Sequence, residues 1–272
     1  MKVILIVLLF GLMSCGVQKA AVSRSNQPQV ILKLDDVWSE GKNVHPGWSA
    51  TFDYLNELDV VGTIGIIGGR GTNPVPAYYS WLKAQAERGH ELWNHGWCHC
   101  KGEGDVREFR GNDFTYQHDH LVQTQRIIKD KTGITLTAFG APYNSVDAVT
   151  ATALAAVEDL KIWMYPSPGI KTDKAVLPRI AEVNIEYPVH QPNFERFRAG
   201  YLAHQHERVL VIQGHPRSWM TEGRLDTFKK IIEFLRQRNT VFTTPTQYEE
   251  ALEAARTQVQ SQGNRQGSNP GF

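Results

Sequence analysis

Short runs of β-branched and apolar residues alternate along the chain with longer segments whose apolar positions recur at helical spacing. Val30 to Leu34 is the first such run, and it stops abruptly at Asp35-Asp36, as a buried parallel strand does at its C-terminal end. Pro46 to Leu58 reads as a helix, Val60 to Ile67 as a second strand stopped by Gly68-Gly69, and Pro76 to Arg88 as an amphipathic helix ended by Gly89. A strand near Glu91 to Asn94 follows, then a helix from Phe114 to Lys131 closed by Gly133, a strand at Leu136 to Phe139 and a helix capped near Ser145. Strands are predicted near Ile162 to Tyr165, Glu182 to Glu186 and Val209 to Gln213. Helix Asp226 to Arg238, strand Val241 to Thr243 and helix Gln247 to Ala255 complete the pattern. This alternation predicts a parallel sheet, and the number of units favours a closed or nearly closed α/β barrel over a small open sheet. One domain over residues 30–256 is expected, with residues 257–272, rich in Gln, Ser, Asn and Gly, as a disordered tail.

The first residues read as an address. Lys2 precedes the apolar run Val3 to Leu12, which is too short to span a bilayer as a stable helix. The run ends in Leu12-Met13-Ser14-Cys15-Gly16, which resembles the bacterial lipobox, where cleavage precedes a cysteine that carries diacylglycerol. Residues 1–14 are therefore expected to be a lipoprotein signal peptide, Cys15 the lipidated residue and 15–29 a tether. The protein is then exported and lipid-anchored to a bacterial membrane, at its periplasmic face or the cell surface. The 29 basic and 28 acidic residues leave no bulk charge to attract a polyanion, which argues against nucleic acid as a partner. Cys98 and Cys100 flank His99; on a strand their thiols would be poorly placed for a low-strain disulfide, so no bridge is expected.

Functional groups in a parallel α/β fold gather at the C-terminal ends of strands. Three of these ends are loaded: Asp35-Asp36, Asn94-His95-Gly96-Trp97-Cys98-His99, and Gln213-Gly214-His215-Pro216. His95 and His99 stand four residues apart and share a face if the segment is helical. Two histidines and a carboxylate make a three-ligand catalytic metal site, which keeps a position open for water and lowers that water's pKa toward neutrality.

Leu34-Asp35-Asp36, then Gly89-His90-Glu91-Leu92-Trp93-Asn94-His95 through His99, then Phe139-Gly140-Ala141-Pro142-Tyr143, together resemble the polysaccharide deacetylase family, the NodB-homology domain of carbohydrate esterase family 4. The likeness spans about Val30 to Thr246, in order and with family-like spacing. It implies a distorted (β/α) barrel and a metal-dependent hydrolase that removes acetyl groups from an N-acetylated or O-acetylated glycan. It further implies Asp35 as general base, Asp36, His95 and His99 as metal ligands, Tyr143 as backbone donor to the oxyanion, and His215 as the acid for the leaving amine. Zinc is the expected metal, and the mixed ligand set also suits cobalt or nickel. Amide hydrolysis needs an activated water, a donor pair for the oxyanion and an acid for the amine, and these residues supply one each.

Three positions depart from the family pattern. Gly140 stands where an arginine orients the base; no carboxylate falls in Tyr165-Pro166-Ser167-Pro168, where an aspartate motif tunes the acid histidine; Gln213 replaces a leucine. Arg179, Arg217 and Gln213 are candidates for the missing roles. Trp38 and Trp97 lie near strand ends and are candidates for stacking on sugar rings. Two other functions fit the departures: a glycan-binding lipoprotein with weakened catalysis, or a hydrolase of a non-sugar amide.

Overall fold

The computed structural model describes residues 27–266 except residue 42, residues 71–74 and residue 222. The expected signal peptide, Cys15 and most of the tether lie outside the described residues. Seven strands form one parallel sheet, curved into a nearly closed barrel: β1 (Gln29–Val37), β2 (Thr63–Ile66), β3 (Glu91–Asn94), β4 (Ala138–Gly140), β5 (Ile162–Met164), β6 (Ala175–Leu177) and β7 (Val209–Gly214). Their order is β6-β5-β4-β3-β2-β1-β7, so the expected distorted (β/α) barrel is present, with its seam between β6 and β7. The helices are α1 (Pro46–Glu57), α2 (Pro76–Glu87), α3 (Phe114–Thr132), α4 (Ala148–Ala155), α5 (Phe194–His204), α6 (Arg224–Arg236) and α7 (Pro245–Gln266).

Alternation along β1 divides its side chains between two compartments. Val30, Leu32 and Leu34 pack outward with Trp48 and Phe52 of α1 and Ile231 and Ile232 of α6. Ile31 faces the barrel interior with Trp93 and Val211. Lys33 and Asp35 continue that interior row, both buried. The register pairs Lys33 with Gln213 and Leu34 with Gly214, so the interior chemistry of β1 and β7 is side by side. A third apolar cluster, including Phe109, Phe139, Leu154 and Trp163, lies under α3 and α4.

Local chemistry sets the helix ends. Asp113 caps α3 by accepting from Tyr116 N, and Gly133 ends it in the left-handed conformation at φ 78°. α4 opens with a capping box between Asp147 and Thr150, two residues later than the expected cap at Ser145.

Three other expectations differ. The segment 182–186 is not a strand: it runs beside β7, but Asn184 Oδ1 accepts from Gln213 N at 2.8 Å and Glu186 Oε1 from His215 N at 2.8 Å, so side chains take amides that a ladder would use. The sheet gains instead the short β6, and Phe242 makes only a single parallel bridge to Val30. α7 runs on to Gln266, past Arg256, where the domain was expected to end; only the Gln and Arg residues of that extension are good helix formers.

α5 lies against the backbone at Glu182 through Gly200, where an added Cβ would stand 1.9 Å from the Glu182 carbonyl oxygen. Gly200→Ala is expected to lower the free energy of unfolding in urea by about 2 kcal/mol through forced separation of these segments. An unchanged unfolding midpoint would contradict that packing.

Candidate active site

The mouth of the barrel is built on a bulge. In a regular strand Asp35 and Asp36 would point to opposite faces, but the β1–β2 register shifts between Leu34 and Val37, and Asp36 takes φ 75°. Asp36 thereby joins His95 and His99: its Oδ1 lies 3.1 Å from His95 Nε2 and 3.2 Å from His99 Nε2. That oxygen is buried and makes no aligned hydrogen bond, so three donors face a common centre. Burial pushes the Asp36 carboxyl up, and the two imidazoles beside it outweigh burial and hold it well below the ordinary carboxylate range. His95 Nδ1 stands 2.6 Å from the Gly140 carbonyl, which only accepts; Nδ1 therefore carries a proton, and Nε2, turned to Asp36, is the nitrogen that would offer a lone pair to a bound cation. This donor set fits a divalent cation.

The segment from His95 to His99 is a loop and not the helix that would have aligned the pair. Its backbone wraps the buried carboxylate of Glu108, which accepts from Trp97 N at 2.5 Å, Cys98 N at 3.2 Å and His99 N at 2.6 Å. His120 Nδ1 lies 2.9 Å from the same carboxylate. Burial raises the Glu108 pKa, while His120 and the loop amides bring it below its usual value, so it stays anionic. Contrary to expectation, Cys98 and Cys100 form a disulfide. The chain between them is no strand: His99 at φ 54° turns it and brings the two Cα atoms to 5.1 Å.

Asp35 is fixed by groups from inside the barrel. Lys33 Nζ reaches its two oxygens at 2.8 and 2.7 Å, and Gln213 Nε2 donates to Oδ2 at 2.6 Å. Asn144 Nδ2 donates in turn to Gln213 Oε1 at 3.0 Å. Lys33 lies between the Trp93 ring, 4.7 Å from its centre, and the Tyr165 ring, at 5.1 Å. Burial lowers the Lys33 pKa, opposed by Asp35. Gly140 makes room: a Cβ there would stand 3.0 Å from Lys33 Cε. The cation expected from position 140 thus enters from β1. Of the three candidates for the missing roles, Gln213 reaches Asp35; Arg217 pairs with Glu40, and Arg179 lies over Tyr165.

His215 follows β7, and its carboxylate partner is Glu186, which sequence reading took for the end of a strand. Glu186 Oε2 lies 2.6 Å from His215 Nδ1, and Trp219 Nε1 donates to Oε1 at 2.7 Å. Burial lowers the His215 pKa, but the hydrogen bond and charge of Glu186 prevail, and the imidazole is pushed up to about 9. Tyr143 sits at φ 60° in the 3-10 turn Pro142–Asn144, its ring 4.1 Å from that of His99 and its hydroxyl donating to His99 O at 3.0 Å. Trp38 has the Arg70 and Arg217 guanidinium groups at 5.0 and 4.6 Å from its ring centre, and Trp97 packs against Gly69. The site thus combines Asp36, His95, His99, Asp35 and His215 around one mouth. Lys33, Glu186 and Glu108 were missed; a lysine within the apolar run Val30 to Leu34 marked that position as unusual but did not reveal its partner.

The profile of the family described as Polysaccharide deacetylase matches residues 23–162. The chain belongs to the polysaccharide deacetylase family. No curated protein matches it. Among solved structures, this family member is similar to a family 4 acetyl xylan esterase from Clostridium thermocellum in complex with a cobalt ion. Identity is 17%, TM-score 0.58, over 80% of this chain and 88% of that one. It is similar to the peptidoglycan deacetylase PdaC from Bacillus subtilis at 17% identity and TM-score 0.59, covering 90% and 98% of the two chains. A CE4 family pseudoenzyme from Bacillus anthracis shares 15% identity at TM-score 0.57, over 81% of this chain and 65% of its own.

Glu108→Gln is expected to weaken zinc binding by about 10- to 100-fold in calorimetry, because it loosens the loop that presents His99; unaltered affinity would show that the loop holds itself. The His215 proton is bound more tightly in the folded chain than in an ordinary histidine, which titrates at 6.5. Its stabilisation is therefore complete below that pH and lost as pH rises through about 9. In a titration followed by NMR, His215 should titrate near that upper value, and Glu186→Gln should lower it by at least about one unit. A His215 that titrates near its ordinary value in the unaltered protein would contradict the pairing.

Proposed function

We propose that this protein is a metal-dependent deacetylase that removes acetyl groups from an N-acetylated or O-acetylated glycan, with zinc, or else cobalt or nickel, as the cation. One observation carries the reading: a three-donor metal group lies beside an independently held carboxylate, His95 Nε2 being 3.1 Å from Asp36 and 3.8 Å from Asp35. Asp36, His95 and His99 would hold the cation, which supplies Lewis acidity and lowers the pKa of a water placed there.

Asp35 accepts the proton of the attacking water. Lys33 and Gln213 keep it out of the metal group and aimed at that water, so two adjacent acids divide base and ligand duties. The Tyr143 N–H, at the start of a 3-10 turn where amides lack intrahelical partners, donates to the oxyanion. His215, with Nδ1 engaged by Glu186, gives its proton from Nε2 to the leaving group. A histidine held up to about 9 is protonated at neutral pH, as an acid must be. Trp38 and Trp97 flank the ligands in sequence and would meet the sugar. The likeness to a pseudoenzyme favours, as the second reading, a glycan-binding protein with weakened turnover.

The test is acetate release by the zinc-loaded protein from a panel of N-acetyl and O-acetyl glycans. Asp35→Asn should keep zinc and lose about 100-fold or more in rate, whereas Asp36→Ala should lose zinc itself. Full turnover by Asp35→Asn would overturn the assignment of the base. Absence of release from every glycan with zinc bound would favour the binding protein.

A further inference from the structure

Lys101 and Arg107 face each other across an antiparallel bridge, and the turn between them carries Glu103 and Asp105. Like charges directly opposite on paired strands destabilise, so this juxtaposition has a structural cost. Both cations also lie over one ring: Lys101 Nζ is 4.8 Å and Arg107 Cζ 5.7 Å from the centre of Tyr143. Among the described residues no carboxylate makes an ion pair with either, and the Arg107 guanidinium donates only to the Gly104 and Val106 carbonyls, at 2.9 and 2.7 Å. The Tyr143 ring is tilted against that of His99, with centres 4.1 Å apart, so the two cations stand one ring away from the Asp36, His95 and His99 group. The exposed Arg70 lies over Trp38, 5.0 Å from its ring centre, and its charge also acts on the Tyr143 hydroxyl. Nearby cations are spoken for: Arg217 by Glu40, Lys33 by Asp35, and His215 by Glu186. The formal net charge of the chain is +1, so Lys101 and Arg107 act through their placement at the mouth and not through bulk charge.

We propose that the substrate is an acidic glycan. An anionic group, carboxylate or phosphate, on the sugar next to the acetylated one is received between Lys101 and Arg107 and relieves their repulsion. The planar guanidinium of Arg107 matches either anion with two donors, and Lys101 adds a point charge. This inference rests on the deacetylase reading for the position of the acetyl group. It is separable from that reading, because a neutral glycan would fit the same catalytic groups.

The experiment compares N-acetylated oligosaccharides of matched length that are neutral, that alternate with uronates, or that carry sugar phosphates, using the zinc-loaded protein and its Lys101→Gln/Arg107→Gln variant. At low salt, kcat/KM for an acidic series should exceed that of the neutral series by about tenfold or more and fall as sodium chloride is added. The acidic-to-neutral ratio should collapse toward one in the variant, and whichever acidic series leads identifies the anion. Equal or faster turnover of the neutral series, insensitive to salt, would overturn the inference and leave the deacetylase reading standing. If no series releases acetate, that reading fails, and equilibrium binding of the same oligosaccharides decides. Tighter, salt-sensitive binding of an acidic series, lost in the variant, supports the anion site; equal binding of all three overturns it.

Discussion

Two adjacent carboxylates at the end of a buried strand are the constraint on which the rest of this structure depends. Like charges about 4 Å apart repel by about 4 kcal/mol in a protein-like dielectric, and burial penalises each of them besides. A bulge in β1 turns Asp36 toward the mouth while strand alternation keeps Asp35 inside the barrel. Each acid then meets its own set of neutralising partners. Lys33 and Gln213 take Asp35, and His95 and His99 converge on Asp36.

The same logic recurs around the mouth. Glu186 is buried beneath His215 and accepts from His215, Trp219 and the His190 amide, and Glu108 is buried beneath the His95–His99 loop and accepts its amides. Each buried anion orients a histidine and is saturated by donors, the condition under which a buried charge is tolerable. Left-handed backbone collects at the same place, at Asp36, His99, Tyr143, Asn144 and Tyr165. Residues other than glycine adopt such conformations at a cost, and they persist here because the disulfide, the His99–Tyr143 ring contact and hydrogen bonds fix the surrounding chain.

The architecture was legible where periodicity and stop signals agree. The apolar runs at Val30, Thr63, Ile162 and Val209 are strands, and Gly133 closes α3 as the sequence suggests. The segment around Asn184 misled because its apolar and β-branched residues fit a strand, whereas its polar side chains bond β7 directly. The disulfide was hidden because its geometry depends on the turn at His99, which no spacing rule reveals. His95, His99 and one carboxylate of Asp35-Asp36 were readable as a group from their positions at strand ends, the family resemblance singled out Asp36, and the structure brings these three together. Lys33 and Glu186 were not, since each replaces a partner expected elsewhere in the chain, and only the register of β1 with β7 and the path of the segment before α5 bring them into reach.

In the proposed mechanism Lys33, through Asp35, sustains catalysis in place of the arginine absent at Gly140. Its most direct test is kcat for acetate release by zinc-loaded Lys33→Met, in protein shown by circular dichroism and zinc stoichiometry to be folded and loaded. Loss of about 100-fold or more in kcat, with zinc still bound, is the expected result. Turnover at the rate of the unaltered protein would contradict it.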